Sequence, residues 1–353
     1  MLWTMFAGGV LGIVFGFVLQ RTRFCMTGGF RDMYVTGNYK MFYAFLIAIL
    51  VQSVGVLTLI QLGYVSLPYK DYSVVATIIG SFVFGIGIIL ASGCATGTWY
   101  RAGEGLIGSW LALAMYMLSS AMMKYGALAD FKKAFSQYGR VNDNTAQTLG
   151  ISVWWLVALL AVAVFYGVRE TLINRPKNKV ATLPAKFTGL RHWLFEKRYH
   201  PFVAAVIIGV IALIAWPASE STGRVGGLGI TTPSADIVHF LVTGNTKSLN
   251  WGLFLVLGIF IGSYIAAKGS REFRWRLPDI KTLYHSTLGG LAMGIGASLA
   301  GGCTIGNGLT ATAIMSSKGW IALFFTILGA WTMSHFLFVR PRQKALALAQ
   351  ASA

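Results

Sequence analysis

The chain has 353 residues, 56% of them hydrophobic and 11% charged, with 29 Lys and Arg against 11 Asp and Glu for a net charge of +18. Soluble domains carry about 25% charged residues, so a soluble fold is excluded. The basic residues flank apolar runs instead of forming a domain of their own, which argues against a nucleic-acid partner and fits the positive-inside bias, with some excess left to attract anions.

The first apolar run, 2–20, starts at the N-terminus without a basic region before it or a small-residue cleavage site after it, so it is expected as a retained span. Its Gly12-x-x-x-Gly16 reads as helix packing. Behind it comes Arg21-Thr22-Arg23-Phe24-Cys25-Met26-Thr27-Gly28-Gly29-Phe30-Arg31, whose arginines suit anchoring at the membrane surface. Further spans are expected near 41–62, 74–92, 105–123, 151–168, 201–216, 250–267, 283–300 and 319–339. The connection 169–200 places Phe187, Leu190, Trp193 and Leu194 at helical spacing among Lys186, Arg191, Lys197 and Arg198, the pattern of an interfacial helix. Thr232-Pro233-Ser234 opens a short apolar stretch through Phe240 with the cap-then-proline pattern of a helix start, lying flat or lining a vestibule. Gly258-x-x-x-Gly262 again reads as packing. From Thr282 to Ser317 the chain is too long for one span and short for two, which predicts a broken or re-entrant helix around Cys303.

Nine spans place the termini on opposite sides. Alternate connections carry 21 and 8 basic residues, so the N-terminus is expected outside and the C-terminus in the cytoplasm. The fold class expected is an all-α integral membrane protein of about nine transmembrane helices with short interfacial or re-entrant ones. It forms one membrane domain, 1–353, in two repeat halves, roughly 1–168 and 201–340, joined by the cytoplasmic connection 169–200. The repeat is visible where Gly85–Gly97 meets Gly294–Gly306, with eight of thirteen positions identical. On the nine-span count the two copies run in opposite directions, an inverted repeat.

Three cysteines with no C-x-x-C pair cannot form a disulfide framework or complete a four-cysteine metal site. The histidines, 192, 200, 239, 285 and 335, show no ligand spacing, so neither metal nor cofactor is expected. A free cysteine is often only a small buried hydrophobe, but the repeat recurs with its glycines, which singles out Cys94 and Cys303. Gly93, Gly97, Gly302 and Gly306 permit tight turns and expose backbone N–H groups that can cradle an anion. A neutral thiol is a weak donor with a soft sulfur, suited to an anion that ends in sulfur, and weak serial contacts favour passage over trapping. Arg101 and Glu104, three apart, allow an intrahelical ion pair, as an anion-attracting mouth or a structural pair. A thiol-redox protein would want paired cysteines and a redox partner.

The stretches Arg23–Met33, Gly93–Gly105 and Gly301–Gly308 together resemble the YeeE/YedE family of bacterial sulfur transport proteins, and the likeness runs over essentially the whole chain. The resemblance implies an hourglass-shaped helical protein of the bacterial inner membrane. At its constriction, cysteines pass thiosulfate along by S–H to sulfur hydrogen bonds; Cys25, Cys94 and Cys303 are the matching positions. It also implies a small cytoplasmic TusA-like sulfur carrier protein as partner. Related branches handle other sulfur or selenium species.

Overall fold

In hydrocarbon each backbone polar group must be satisfied inside the protein, and the computed structural model answers that demand with helices. It describes residues 2–66, 71–143, 150, 152–173, 188–197 and 199–351. In chain order these form α1 (Leu2–Thr22), α2 (Met26–Val35), α3 (Lys40–Gln61), α4 (Val74–Leu90), α5 (Ala95–Gly103), α6 (Ile107–Tyr125), α7 (Ala129–Phe135) and α8 (Val153–Ile173). There follow α9 (Gly189–Phe195), α10 (Pro201–Glu220), α11 (Thr231–Thr243), α12 (Trp251–Gly269), α13 (Ile280–Leu299), a π-helical turn (Gly306–Ala311), α14 (Ser317–Ser334) and α15 (Arg340–Ala351). The only described sheet is a two-residue antiparallel pair, Tyr72 opposite Val141 and Ser73 opposite Arg140.

A helix occupies each of the nine segments expected to span. Seven stretches among the described residues are long and apolar enough to cross a membrane: Met5–Val35, Lys40–Gln61, Val74–Gly103, Val153–Ile173, Pro201–Glu220, Trp251–Gly269 and Ser317–Gln350. The protein is therefore an all-α, multi-pass membrane protein. α6 and α13 fall short of that apolarity because they pack on each other, and α13 also on α4, so glycine and serine faces replace lipid-facing bulk. α8 is the opposite case. It packs on α3 and exposes Trp155, Leu159, Val162, Phe165 and Tyr166, a surface that only acyl chains would cover without cost.

Four times the chain runs long helix, short helix, long helix: α1–α2–α3, α4–α5–α6, α10–α11–α12, and α13 through the π-helical turn to α14. The units pair reciprocally. α1 packs on α12 while α3 packs on α10; α4 packs on α14 while α6 packs on α13. The first pairing uses both glycine motifs of the sequence: a Cβ on Gly12 or Gly16 would run into the Leu255 or Ile259 carbonyl, and one on Gly258 or Gly262 into that of Gly9 or Ile13. Such small-residue faces let helix backbones approach closely.

Two local expectations change. The helix expected to start at Pro233 behind a Thr232 cap starts two residues earlier, at Thr231, after Ile230. Pro233 sits third in its first turn, where a missing N–H removes nothing the helix would use. Of the expected interfacial helix, α9 holds Trp193 and Leu194, and its Phe195 packs edge-on against Phe17 of α1. Lys186, Phe187, Arg198 and the Leu190 side chain lie outside the described residues.

Candidate functional site

Each cysteine is placed by the same device. A long helix ends, a residue with positive φ reverses the chain, and two positions later the cysteine stands in front of a short helical segment. The reversing residues are Arg23 (φ 50), Ser92 (φ 55) and Gly301 (φ 70), each two before Cys25, Cys94 and Cys303. After α4 the N–H of Gly93 donates to Ile88 O (3.0 Å) and that of Ser92 to Ile89 O (3.1 Å); after α13 the N–H of Gly302 donates to Ala297 O (2.9 Å). These are Schellman closures, which satisfy carbonyls a helix end would otherwise leave open. Cys25 and Cys94 then precede the first residues of α2 and α5. The Gly97 N–H donates to Cys94 Sγ at 3.4 Å.

The break around Cys303 is held by a residue that spacing alone did not single out. Asn307 Nδ2 donates to Ala300 O (3.0 Å) and Gly302 O (3.1 Å), while its own N–H donates to Cys303 O (2.8 Å). A Cβ on Gly302 would lie 2.6 Å from Asn307 Oδ1, so glycine there is a matter of space. Gly306 has open surroundings.

All three thiols are free and buried. A methyl group placed on Gly97 would lie 3.5 Å from Cys94 Sγ and 3.8 Å from Cys25 Sγ, so these two sulfurs share one spot. Cys94 also lines a small cavity with Thr304, the residue after Cys303, so it is close both to the Cys25 thiol and to the Cys303 turn. On one side, Cys303, Gly302 and Gly306 line a cavity of about 360 Å³ together with Lys132, Arg224 and Lys318. Burial, aided by Lys124, holds Lys132 below its ordinary value of 10.5. Arg224 lies over the Trp251 ring (5.7 Å) and leaves Nη1 buried without a hydrogen-bond partner. On the other side, Arg101 Nη2 donates to Cys25 Sγ (3.5 Å) and the same side chain lines a second cavity of about 150 Å³ with Ser92, Arg276 and Ser286.

These cavities lie at opposite ends of the bundle. Asp71 and Tyr72, just before α4, line the first; Ala91 and Ser92, just after it, line the second. Seventeen helical residues separate them, about 25 Å at 1.5 Å per residue.

The Arg101–Glu104 pair that the spacing allows gives way to other partners. Glu104 caps α5, its N–H donating to Tyr100 O (3.2 Å) and Arg101 O (3.1 Å), but its carboxylate turns to Arg23 and not to Arg101. Arg101 donates instead to the Ser92 carbonyl and to Tyr100 Oη (3.4 Å), besides Cys25. Glu104 meets Arg23 at 3.4 Å, and Arg23 reaches on to Glu272 at 3.0 Å, which also accepts from Gln20 (2.9 Å). Burial pushes Glu104 above the usual carboxylate range against the pull of Arg23 and Arg101. At Glu272 burial works the same way, but Arg23, Gln20 and Arg21 together hold it below that range. Among the described residues no cluster of His, Cys, Asp or Glu suits a metal ion.

A multi-pass helical protein with broken helices meeting between two cavities, one at each end of the bundle, has the architecture of a membrane transporter. Residues 21–332 match the family described as Sulphur transport, and the chain belongs to it. It is 57% identical, over 98% of each chain, to the thiosulfate transporter TsuA of Escherichia coli (strain K12). It is 33% identical to the thiosulfate transporter TsuA of Spirochaeta thermophila (strain ATCC 700085 / DSM 6578 / Z-1203), over 96% of this chain and 100% of that one. The protein is thus a sulfur transporter and not an enzyme.

Proposed function

We propose that the protein takes up thiosulfate across the bacterial inner membrane, and that the anion passes Cys303, Cys94 and Cys25 in that order. The observation that carries this reading is the placement of the thiols between two cavities at opposite ends of the bundle, with Cys303 lining the first and Cys25 on the arginine that lines the second. Lys132, Arg224 and Lys318 raise the local concentration of a dianion outside. Beyond them the anion meets thiols, donors weak enough to release it to the next; the N–H groups of Gly93, Gly97 and Gly302 are already given to Ile88 O, Cys94 Sγ and Ala297 O, so these glycines shape the turns that hold the thiols instead of cradling the anion. Arg101, with Glu104 and Arg23 beside it, receives it at the cytoplasmic end. The two TsuA relatives support the choice of solute.

In this reading the chain is one membrane domain of two inverted halves, roughly 1–168 and 201–340, joined by 169–200. Nine helices cross the bilayer, with the N-terminus periplasmic and the C-terminus cytoplasmic. The cavities are the bulbs of an hourglass, and a small TusA-like sulfur carrier protein takes thiosulfate at the cytoplasmic face. Uptake of labelled thiosulfate into proteoliposomes tests the core of the proposal. Cys94→Ala and Cys303→Ala should each abolish most uptake while membrane expression stays normal, and Cys25→Ala should be milder. Wild-type uptake in either of the first two would refute the thiol route, and a requirement for the carrier in the liposome lumen would make transfer to it part of the cycle.

A further inference from the structure

Threonine hydroxyls in this protein have a standard outlet. Thr22, Thr58, Thr77, Thr171, Thr287, Thr312 and Thr332 each donate to the carbonyl four residues earlier, and Thr98 to the one three earlier. Two threonines beside the thiols lack that outlet. Thr96 is the second residue of α5 and Thr304 follows Cys303 directly, so neither has a preceding turn of its own helix to bond to. Both are buried, 3% and 4% exposed, and both hydroxyl oxygens are closed to solvent and without a hydrogen-bond partner. A buried hydroxyl left unpaired costs stability, so one that persists calls for an occupant.

The two threonines line a common space. Thr96 and Thr304 line one small cavity of about 20 Å³ together with Cys94, and these three supply its polar side chains. Phe15, Phe45, Ile208 and Leu309 make the rest of it apolar, so nothing else there can compete for the donors. A space of this size holds a single oxygen-sized group. Resting on the thiosulfate reading above, we propose that Thr96 and Thr304 are specificity-determining residues which bind an oxygen of the anion while its terminal sulfur is at the Cys94 thiol. A thiol is a poor donor to oxygen and a hydroxyl a good one, so the pair of chemistries matches the two ends of an anion with oxygens on one side and sulfur on the other. Neutral hydroxyls also keep the contact weak enough for release. Thr27, two residues after Cys25, has its hydroxyl buried beside the Cys25 thiol, so the same juxtaposition recurs there.

The test uses the full-length protein in proteoliposomes with labelled thiosulfate, comparing Thr96→Val, Thr304→Val and the matching Ser variants, with Cys94→Ala in the same series. Valine keeps the shape and removes the hydroxyl. Each Val variant should lose uptake about tenfold, the worth of one hydrogen bond to an anion, while the Ser variants keep it. Thermal unfolding of the detergent-solubilised Val variants should stay at the wild-type temperature or rise, because an unpaired buried hydroxyl has gone. Wild-type uptake in both Val variants, with Cys94→Ala inactive, would overturn this inference and leave the thiol reading intact. Loss of uptake together with a lowered unfolding temperature, or failure of the Ser variants to transport, would also overturn it in favour of a packing role. Normal uptake by Cys94→Ala would instead overturn the thiol reading itself.

Discussion

Arg23, Ser92 and Gly301 take the left-handed conformation at equivalent points, and only one of them is glycine. The conformation costs an L-residue about 1–2 kcal/mol and glycine almost nothing, so the repeat contains its own control. Ser92→Gly should leave stability unchanged or raise it by up to about 1 kcal/mol, after glycine's entropy cost is set against the strain it relieves. Gly301→Ala should lower it by about 1–2 kcal/mol or more, since a Cβ there would also lie 2.6 Å from Lys318 Nζ. Thermal unfolding in detergent measures both, and equal effects would mean that the two turns are not equivalent. At this scale Cys94, Cys303 and their glycines stood out in the sequence because the repeat displays them twice. The Arg23 turn was not, because an arginine in a left-handed turn leaves no compositional mark. Thr96 and Thr304 were equally silent, since a threonine's meaning depends on whether the preceding turn can accept its proton.

The break in the chain after α13 was foreseen from its length, but its lock was not. Asn307 holds the turn by donating to two carbonyls seven and five residues back, a pattern no spacing rule anticipates. Asn307→Ala leaves those carbonyls unpaired and should cost about 1–3 kcal/mol. Asn307→Asp should cost more, because a carboxylate would then face two acceptors. If Asp proved the milder change, the carboxamide would not be the lock. The Arg101–Glu104 spacing has a similar lesson: it allows a pair but cannot show that Cys25 and the Ser92 carbonyl draw Arg101 away while Arg23 takes Glu104. The resulting Arg23–Glu272 contact gives a pH signature. Glu272 is held below the usual carboxylate range, so it contributes stability that is present above its unfolded value and lost as pH falls through its folded one. Glu272→Gln should therefore be less stable than wild type near neutrality, by no more than about 1 kcal/mol given its partial exposure. The two should converge in acid, and a gap that persisted there would exclude the ion pair as its cause.

For the molecule as a whole, apolar runs located every long helix, because hydrocarbon leaves the chain no other way to satisfy its backbone. The reciprocal pairing of the four units escaped the sequence, since only the second and fourth retain a readable repeat; the first and third differ at the cysteine position itself, Cys25 before α2 corresponding to Ile230 before α11. The direction of the whole is a further expectation: a C-terminal reporter should be active on the cytoplasmic side, and activity only outside would reverse the order of the thiols. The sharpest consequence of the proposed thiol route is selectivity. Thiosulfate and sulfate are dianions of similar shape, so Lys132, Arg224 and Lys318 attract both. Only thiosulfate offers a terminal sulfur to the thiols, and sulfate, the more strongly hydrated, loses more on leaving water. A tenfold preference requires about 1.4 kcal/mol, within reach of weak contacts in a site of low dielectric where a poorer fit leaves buried donors unpaired. Excess sulfate should thus barely slow uptake of labelled thiosulfate, whereas unlabelled thiosulfate should abolish it. Raising salt should weaken attraction at the vestibule for both ions alike and leave their ratio unchanged, because the ratio is set at the buried thiols. Equal competition by sulfate would mean that Cys25, Cys94 and Cys303 do not read sulfur and serve only as packing.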